Sequence, residues 1–276
     1  QTGPNADRAG HDMNYLGLNG LLGLTGEPDG RPIQSAGQIA DLGGGALMAA
    51  FGVMAALRER ERSGEGQLVD VSMTDGSLSW LCMVAAQYLC EGAVPQRGRG
   101  SLNGGIACYL PYEAADGWIT CGALEPKFWR NFCEGVDRAD LIEKQFAAPD
   151  SDDGRAIAAI FRERTCDEWR AFNDEHDAMI EPVLDLDEAL DSELVRERQM
   201  VVEMEQPEVG PVRLIGLPVK LTRTPGDGTG PAPALGEHTE EVLRGAGFAD
   251  DEVAALIASR AAAGLNEAAE PQRFMA

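Results

Sequence analysis

Apolar positions set the first reading of the chain. Met13, Leu16, Leu18, Leu21, Leu22 and Leu24 recur among glycines at a spacing that predicts a helix over 12–22, closed by the turn sequence EPDGRP. The strongest pattern follows at 39–62, rich in Ala and Met, charged only after Leu57 and stopped at SGEG. Its basic end, Arg58, Arg60 and Arg62, suits the negative pole of a helix. Residues 67–73 (QLVDVSM) alternate like a short strand, and Thr74 or Asp75 is placed to cap a second apolar helix through residue 89. The Gly- and Arg-rich stretch 91–106 has no periodicity and reads as a linker or active-site loop. Beyond it, 108–123 predicts a hairpin turning at Ala115-Asp116-Gly117, and helices are expected over 127–134, 155–164 and 166–175. Residues 179–190 read as a strand and then a helix. Six prolines break 201–235 into short strand-like pieces suited to a return linker, and two helices close the pattern, capped at Thr239 and at Ala249-Asp250 and parted at Gly245 and Gly247.

Composition narrows the function. A chain of 276 residues with 44% hydrophobic content can bury a proper core. Acidic residues outnumber basic ones 46 to 23, for a net charge of -23, and only Lys127, Lys144 and Lys220 are lysines. Nucleic acid is thereby excluded as a partner, and the acidity reads either as a plain solvated surface or as adaptation to high salt. The six cysteines, Cys82, Cys90, Cys108, Cys121, Cys133 and Cys166, show no C-x-x-C spacing, so reduced thiols in a cytoplasm are expected rather than a zinc site or a disulfide framework. The acidic run DSDDG fails as a calcium loop, because its fifth position is Gly154 and its twelfth Phe161. An apolar run over 47–57 is too short for a bilayer and no basic leader opens the chain, so a soluble protein with no membrane partner is expected. The opening QTGPNADRAG has no initiating Met, which suggests a start further upstream.

Candidate chemistry concentrates in residues 10–45. His11 can take or give a proton near neutral pH, and Asp41 stands ahead of a glycine run where the positive pole of a helix favours a carboxylate. Taken singly these residues have plainer readings: His11 as a hydrogen-bonded loop residue, Asp41 as a helix cap, Glu125 as an exposed residue before Pro126. His176 in NDEHDA and His238 in GEHT read as structural. Arg97 and Arg99 flank glycines where they could meet phosphates or simply face solvent.

The motifs GHDMNYL, ADLGGG, DVSMTDG, GALEPKFW and GEHTEEVL, in that order along nearly the whole chain, resemble the class III CoA-transferase superfamily (CaiB/BaiF), and within it the α-methylacyl-CoA racemase branch. The resemblance implies an α/β fold of two domains in an interlocked homodimer, with a Rossmann-like segment upstream of this chain. It assigns 1–90 to the remainder of a large CoA-binding domain, 91–106 to a linker, 107–190 to a small α+β domain, and 191–276 to a return linker and C-terminal large-domain segment. The implied substrate is an acyl-CoA thioester, with coenzyme A as part of the substrate and no metal or redox cofactor. His11 matches the family's histidine base, Asp41 its carboxylate partner, and Glu125 a small-domain glutamate that orients the histidine. The amide of Asp12, or those of Gly43 to Gly45, would meet the enolate oxygen, with Tyr15, Arg97, Arg99, Gly104 and Gly105 completing the substrate and CoA contacts. Inverting the carbon next to a thioester needs one group to remove a proton and another to return it on the opposite face, which a His and an Asp can do. In the transferase members the matching aspartate is instead a nucleophile, and CoA passes to a carboxylic acid acceptor. Two departures stand out: Gly37 where racemases carry Asn, and LNGG at 102–105 where they read LDGG. A third reading is an inactive remnant or interaction module.

Overall fold

The computed structural model describes residues 2–207, 209–228 and 230–264; the end of the expected C-terminal segment, 265–276, lies outside them. In place of one helix over 12–22 there are two, α1 (Asp12–Leu18) and α2 (Leu21–Leu24). The break has a local cause. Gly20 takes φ +89°, a conformation that costs glycine little, and Asn19 turns its side chain away to donate to Ser77 Oγ at 2.6 Å.

Residues 39–63 form one rod, but its first nine residues wind as a π-helix (Ile39–Leu47) before α3 (Met48–Ser63). Against that wider coil lies α4 (Met73–Ser79), so close that a Cβ on Gly44 would stand 2.7 Å from Ser77 N and one on Gly76 2.0 Å from the Gly44 oxygen. The rod reaches a mean hydropathy of 1.6 and by length and composition alone is able to cross a membrane, which corrects the reading of 47–57 as too short. Its Gly43 and Gly44 side is buried on protein, whereas Leu42, Leu47, Phe51 and Met54 are exposed.

Residues 67–73 make no strand. A strand exists through its hydrogen-bonded neighbour, and no segment among the described residues pairs with this one. The cap of α4 is Ser72, whose Oγ accepts from Asp75 N–H, rather than Thr74 or Asp75. The expected single helix then breaks at Trp80 and Leu81 before α5 (Cys82–Glu91), where the Trp80 ring fills the space that Gly43 leaves open.

The expected hairpin is present as β1 (Leu110–Glu113) and β2 (Trp118–Cys121), closed by Ala114 N–H to the Gly117 oxygen at 2.9 Å. Helices α6 (Pro126–Gly135), α7 (Asp152–Phe161) and α8 (Cys166–His176) follow, and β3 (Ile180–Pro182) adds to β2 in an antiparallel three-stranded sheet of order β1-β2-β3. The acidic DSDDG run leads into α7, with Ser151 as its cap. Tyr112, Phe132, Phe161 and Trp169 interleave their rings to form the core beneath this sheet, and both buried indoles donate to carbonyls, Trp129 to Leu141 and Trp169 to Phe161.

Chain contacts separate two compact units, Gln1–Val183 and Leu184–Ala276. The second holds α9 (Leu186–Asp191), α10 (Glu193–Glu197), the hairpin β4 (Val201–Gln206) with β5 (Gly210–Ile215), then α11 (Thr239–Gly245) and α12 (Asp250–Ala258). That hairpin corrects the linker reading of 201–235 in part. Pro211 fits because a two-stranded sheet leaves one side of each strand without a ladder bond. His238, not Thr239, occupies the cap position of α11. Both sheets are antiparallel, so among the described residues the α/β expectation takes an α+β form.

Candidate active site

His11 sits at the cap position of α1 with extended backbone. Its N–H donates to Asn14 Oδ1 at 3.0 Å, its carbonyl accepts from Asn14 N–H at 2.8 Å, and its imidazole is exposed. The residue before it is fixed too. Tyr15 Oη donates to the Gly10 carbonyl at 3.1 Å, and a Cβ on Gly10 would lie 3.2 Å from the Tyr15 ring. Tyr15 therefore supports the His11 backbone, and its hydroxyl is engaged within the chain.

Asp12 is buried, with 1% of its surface exposed. Its Oδ1 accepts from Ala40 N–H at 2.5 Å and from Asp41 N–H at 3.2 Å, so a side chain of α1 caps the π-helix while Gln38, the local cap residue, makes no such bond. This carboxylate ties the Asp41 backbone to the residue next to His11, and no hydrogen bond or ion pair joins the His11 imidazole to the Asp41 carboxylate among the described residues. Asp41 is half-buried in the first turn of the π-helix, and no hydrogen bond or ion pair engages its carboxylate among the described residues.

The expected amide donors at Gly43 to Gly45 are corrected by the position of the helix start. The π-helix opens at Ile39, so these glycines lie inside the coil, with Gly43 against Trp80, Gly44 against Ser77 and Gly45 against Met73. They are packing residues that allow close approach of α4. The Asp12 amide, next to His11 at the start of α1, meets no acceptor among the described residues.

The remaining candidates gather elsewhere. Arg97 donates from Nε to the Gly23 oxygen at 2.9 Å and from Nη1 to the Gly30 oxygen, and Arg99 pairs with Asp29 at 3.6 Å and Asp150 at 3.7 Å. Both arginines are engaged by the chain itself. Asn103 donates from Nδ2 to the Leu24 oxygen and accepts at Oδ1 from Gly100 N–H, each at 3.0 Å, while Gly104 takes φ +104° against the backbone of Gly98. Residues 97–105 are thus strapped to the end of α2. Between this strap and the open face of the β1-β2-β3 sheet lies a cavity of about 1140 Å³, lined among others by Leu102, Tyr109, Trp118 and Met179, and containing none of His11, Asp41 and Glu125.

Glu125 occupies the cap position of α6 and is exposed. Gln145, itself buried, donates to the Ala123 and Leu124 carbonyls at 3.0 and 2.8 Å and so fixes the two residues before it. No hydrogen bond or ion pair joins Glu125 to His11 or Asp41 among the described residues. The other histidines keep their structural reading: the His176 ring lies 4.3 Å from that of Phe172, and His238 stands 3.9 Å from Glu237. All six cysteines are free, and burial pushes the Cys121 and Cys133 thiols up to about 12, away from any nucleophilic role.

Sequence reasoning counted Asp12 by its amide and missed its side chain. The signal was present: Asp12 falls four residues before Leu16, on the stripe of α1 that is buried, and a carboxylate there must find donors.

A histidine and a carboxylate stand on the first helices of a mixed α and β chain. The chain belongs to CoA-transferase family III, whose family model matches residues 1–239. Among its relatives, the α-methylacyl-CoA racemase of Mus musculus is 36% identical over 94% of this chain and 68% of its own length. The succinyl-CoA:mesaconate CoA-transferase of Haloarcula hispanica is 33% identical over 86% of this chain and 60% of its own. A CaiB/BaiF family protein from Brucella suis shares the fold with a TM-score of 0.71 at 24% identity, over 88% of this chain and 65% of that one. The chain thus spans about two thirds of the length of the proteins it matches. Family and class III fold agree with the resemblance read from the motifs.

Proposed function

We propose that this chain carries the acid/base pair of a racemase acting on 2-methylacyl-CoA thioesters. The observation that supports the reading is the hydrogen bond from the Asp41 amide to the carboxylate of Asp12, which ties the Asp41 backbone to the residue next to His11. One of the pair removes the proton from the carbon next to the thioester, the unpaired Asp12 amide donates to the enolate oxygen, and the other returns a proton to the opposite face. Coenzyme A enters as part of the substrate. The orienting role of Glu125 toward His11 needs a contact that is not made among the described residues of the single chain, and is assigned to an assembled homodimer. The 36% identity to a racemase supports this choice within the family.

The second reading rests on the 33% identity to a CoA-transferase. There the Asp41 carboxylate attacks the thioester carbonyl to give a mixed anhydride and CoA thiolate, and the thiolate attacks the aspartyl carbonyl to release the donor acid and leave an aspartyl-CoA thioester. An acceptor carboxylate reverses the two steps, so that CoA leaves on the acceptor and the Asp41 carboxylate is restored. Epimerisation of one enantiomer of a 2-methylacyl-CoA by the complete gene product, followed by chiral chromatography, tests the choice. Loss of epimerisation by about 10²- to 10⁴-fold in both His11→Ala and Asp41→Asn supports the acid/base reading. Acyl exchange that needs a carboxylic acid and survives His11→Ala contradicts it.

A further inference from the structure

We infer that Asp12 is a positioning residue whose buried carboxylate, rather than the glycine run, holds the Asp41 main chain in place against His11. The inference rests on the acid/base reading of His11 and Asp41. Three observations carry it. Asp12 is 1% exposed and shares with Leu16 the buried stripe of α1. Its Oδ1 receives the Ala40 and Asp41 amides in the first turn of the π-helix, from a distance of 28 and 29 residues along the chain. Its Oδ2 is buried with no partner among the described residues.

An apolar side chain would dock α1 on the π-helix without leaving an orphan oxygen. Burying an incompletely bonded carboxylate is costly, and the charge-assisted bonds of Oδ1 to the positive end of a long helix are what offset it. The gain is placement. His11 is the covalent neighbour of Asp12, with about 3.8 Å between their Cα atoms, and one hydrogen bond from Asp12 reaches the Asp41 amide. A single side chain therefore fixes the backbones of both members of the pair. Without it, the Ala40 and Asp41 amides lose their acceptor, the first π turn is free to rewind, and Asp41 turns about the rod axis relative to His11.

Asp12→Asn and Asp12→Ala in the complete gene product separate shape from charge. Asn keeps the Oδ1 acceptor, and Ala removes it. Two readouts are taken: amide hydrogen exchange at Ala40 and Asp41, and kcat and KM for α-proton exchange of a 2-methylacyl-CoA. For Asp12→Ala, exchange at both amides is expected to rise about 50-fold or more, and kcat to fall about 100-fold with KM within about twofold. Asp12→Asn is expected to move each readout about tenfold, because charge assistance is lost and geometry kept. A merely structural role would lower the folded fraction without confining the exchange to these two amides. Wild-type amide protection in Asp12→Ala overturns the inference. If Asp12→Ala fails to fold, Asp12→Asn decides, and wild-type exchange and kcat there overturn it equally. Should the unaltered protein show no α-proton exchange, the acid/base reading fails, while protection of Ala40 and Asp41 still decides whether Asp12 places them.

Discussion

Replacing Gly76 with Ala should cost more stability than its chemistry suggests. On an ordinary helix the change gains up to about 1 kcal/mol from backbone propensity. Here the new Cβ would stand 2.0 Å from the carbonyl oxygen of Gly44 and 2.8 Å from its Cα, both main-chain atoms that no rotamer change can clear. Restoring a contact of about 3.5 Å requires α4 to retreat from the π-helix by about 1.5 Å. That retreat stretches the 2.6 Å bond from Asn19 to Ser77 Oγ as well. Overpacking of this kind costs about 1–3 kcal/mol, and with backbone on both sides the upper end applies, for a net loss of about 2 kcal/mol. Gly17→Ala is the internal control, since a Cβ there meets nothing within 4 Å, and it should gain about 0.5–1 kcal/mol. Urea titration followed by far-UV circular dichroism reads both. With a slope of about 1–3 kcal/mol per molar, Gly76→Ala lowers the midpoint by about 1 M and Gly17→Ala raises it slightly. Equal midpoints for the two variants would refute the close approach of α4 to the π-helix.

Further expectations follow from other parts of the chain. Asn103→Asp removes the donor to the Leu24 carbonyl, so amide exchange across 98–105 should rise about tenfold at neutral pH, and unchanged exchange would show that the strap is held by other bonds. Asp116 is held below the ordinary carboxylate value of 3.8 by the Cys166 N–H, and Asp140 likewise by the Arg138 guanidinium. Their contribution to folding is present above pH 3.8 and fades as pH falls through the lower folded values, so an NMR midpoint at or above 3.8 for either contradicts the assignment. Exposed Cys82 and Cys90 should alkylate in the native protein at pH 8 well before buried Cys121 and Cys133, whose thiols stand at about 12; prompt labelling of Cys133 would contradict its burial.

Elements whose cause lies within a few residues were legible in the sequence. The hairpin around Ala115-Asp116-Gly117 and helices α6 to α8 follow from alternation, turn chemistry and amphipathic spacing, and they appear within a few residues of expectation. Elements whose cause is distant were not. The π coil at Ile39–Leu47 depends on a carboxylate 28 residues earlier and on Trp80 and Gly76 packing from the other side. Residues 67–73 have the alternation of a strand, yet alternation supplies no hydrogen-bonding neighbour. His11 and Asp41 were singled out through their motifs, whereas the place of Gly43 and Gly44 inside the coil, against Trp80 and Ser77, was not legible. A glycine run before an apolar helix reads the same whether its amides face a ligand or its missing side chains admit another helix, and only the position of the helix start separates the two.

The most direct test of the account follows one proton. The complete gene product is incubated with a 2-methylacyl-CoA in deuterated water, without any carboxylic acid acceptor, and the α-carbon is followed by NMR and mass spectrometry. Deuterium entering the α-position with loss of optical purity, and abolished by His11→Ala, is the predicted result. An α-position that stays protonated, with new acyl-CoA species formed once a carboxylic acid is added, would make Asp41 a nucleophile and contradict the account.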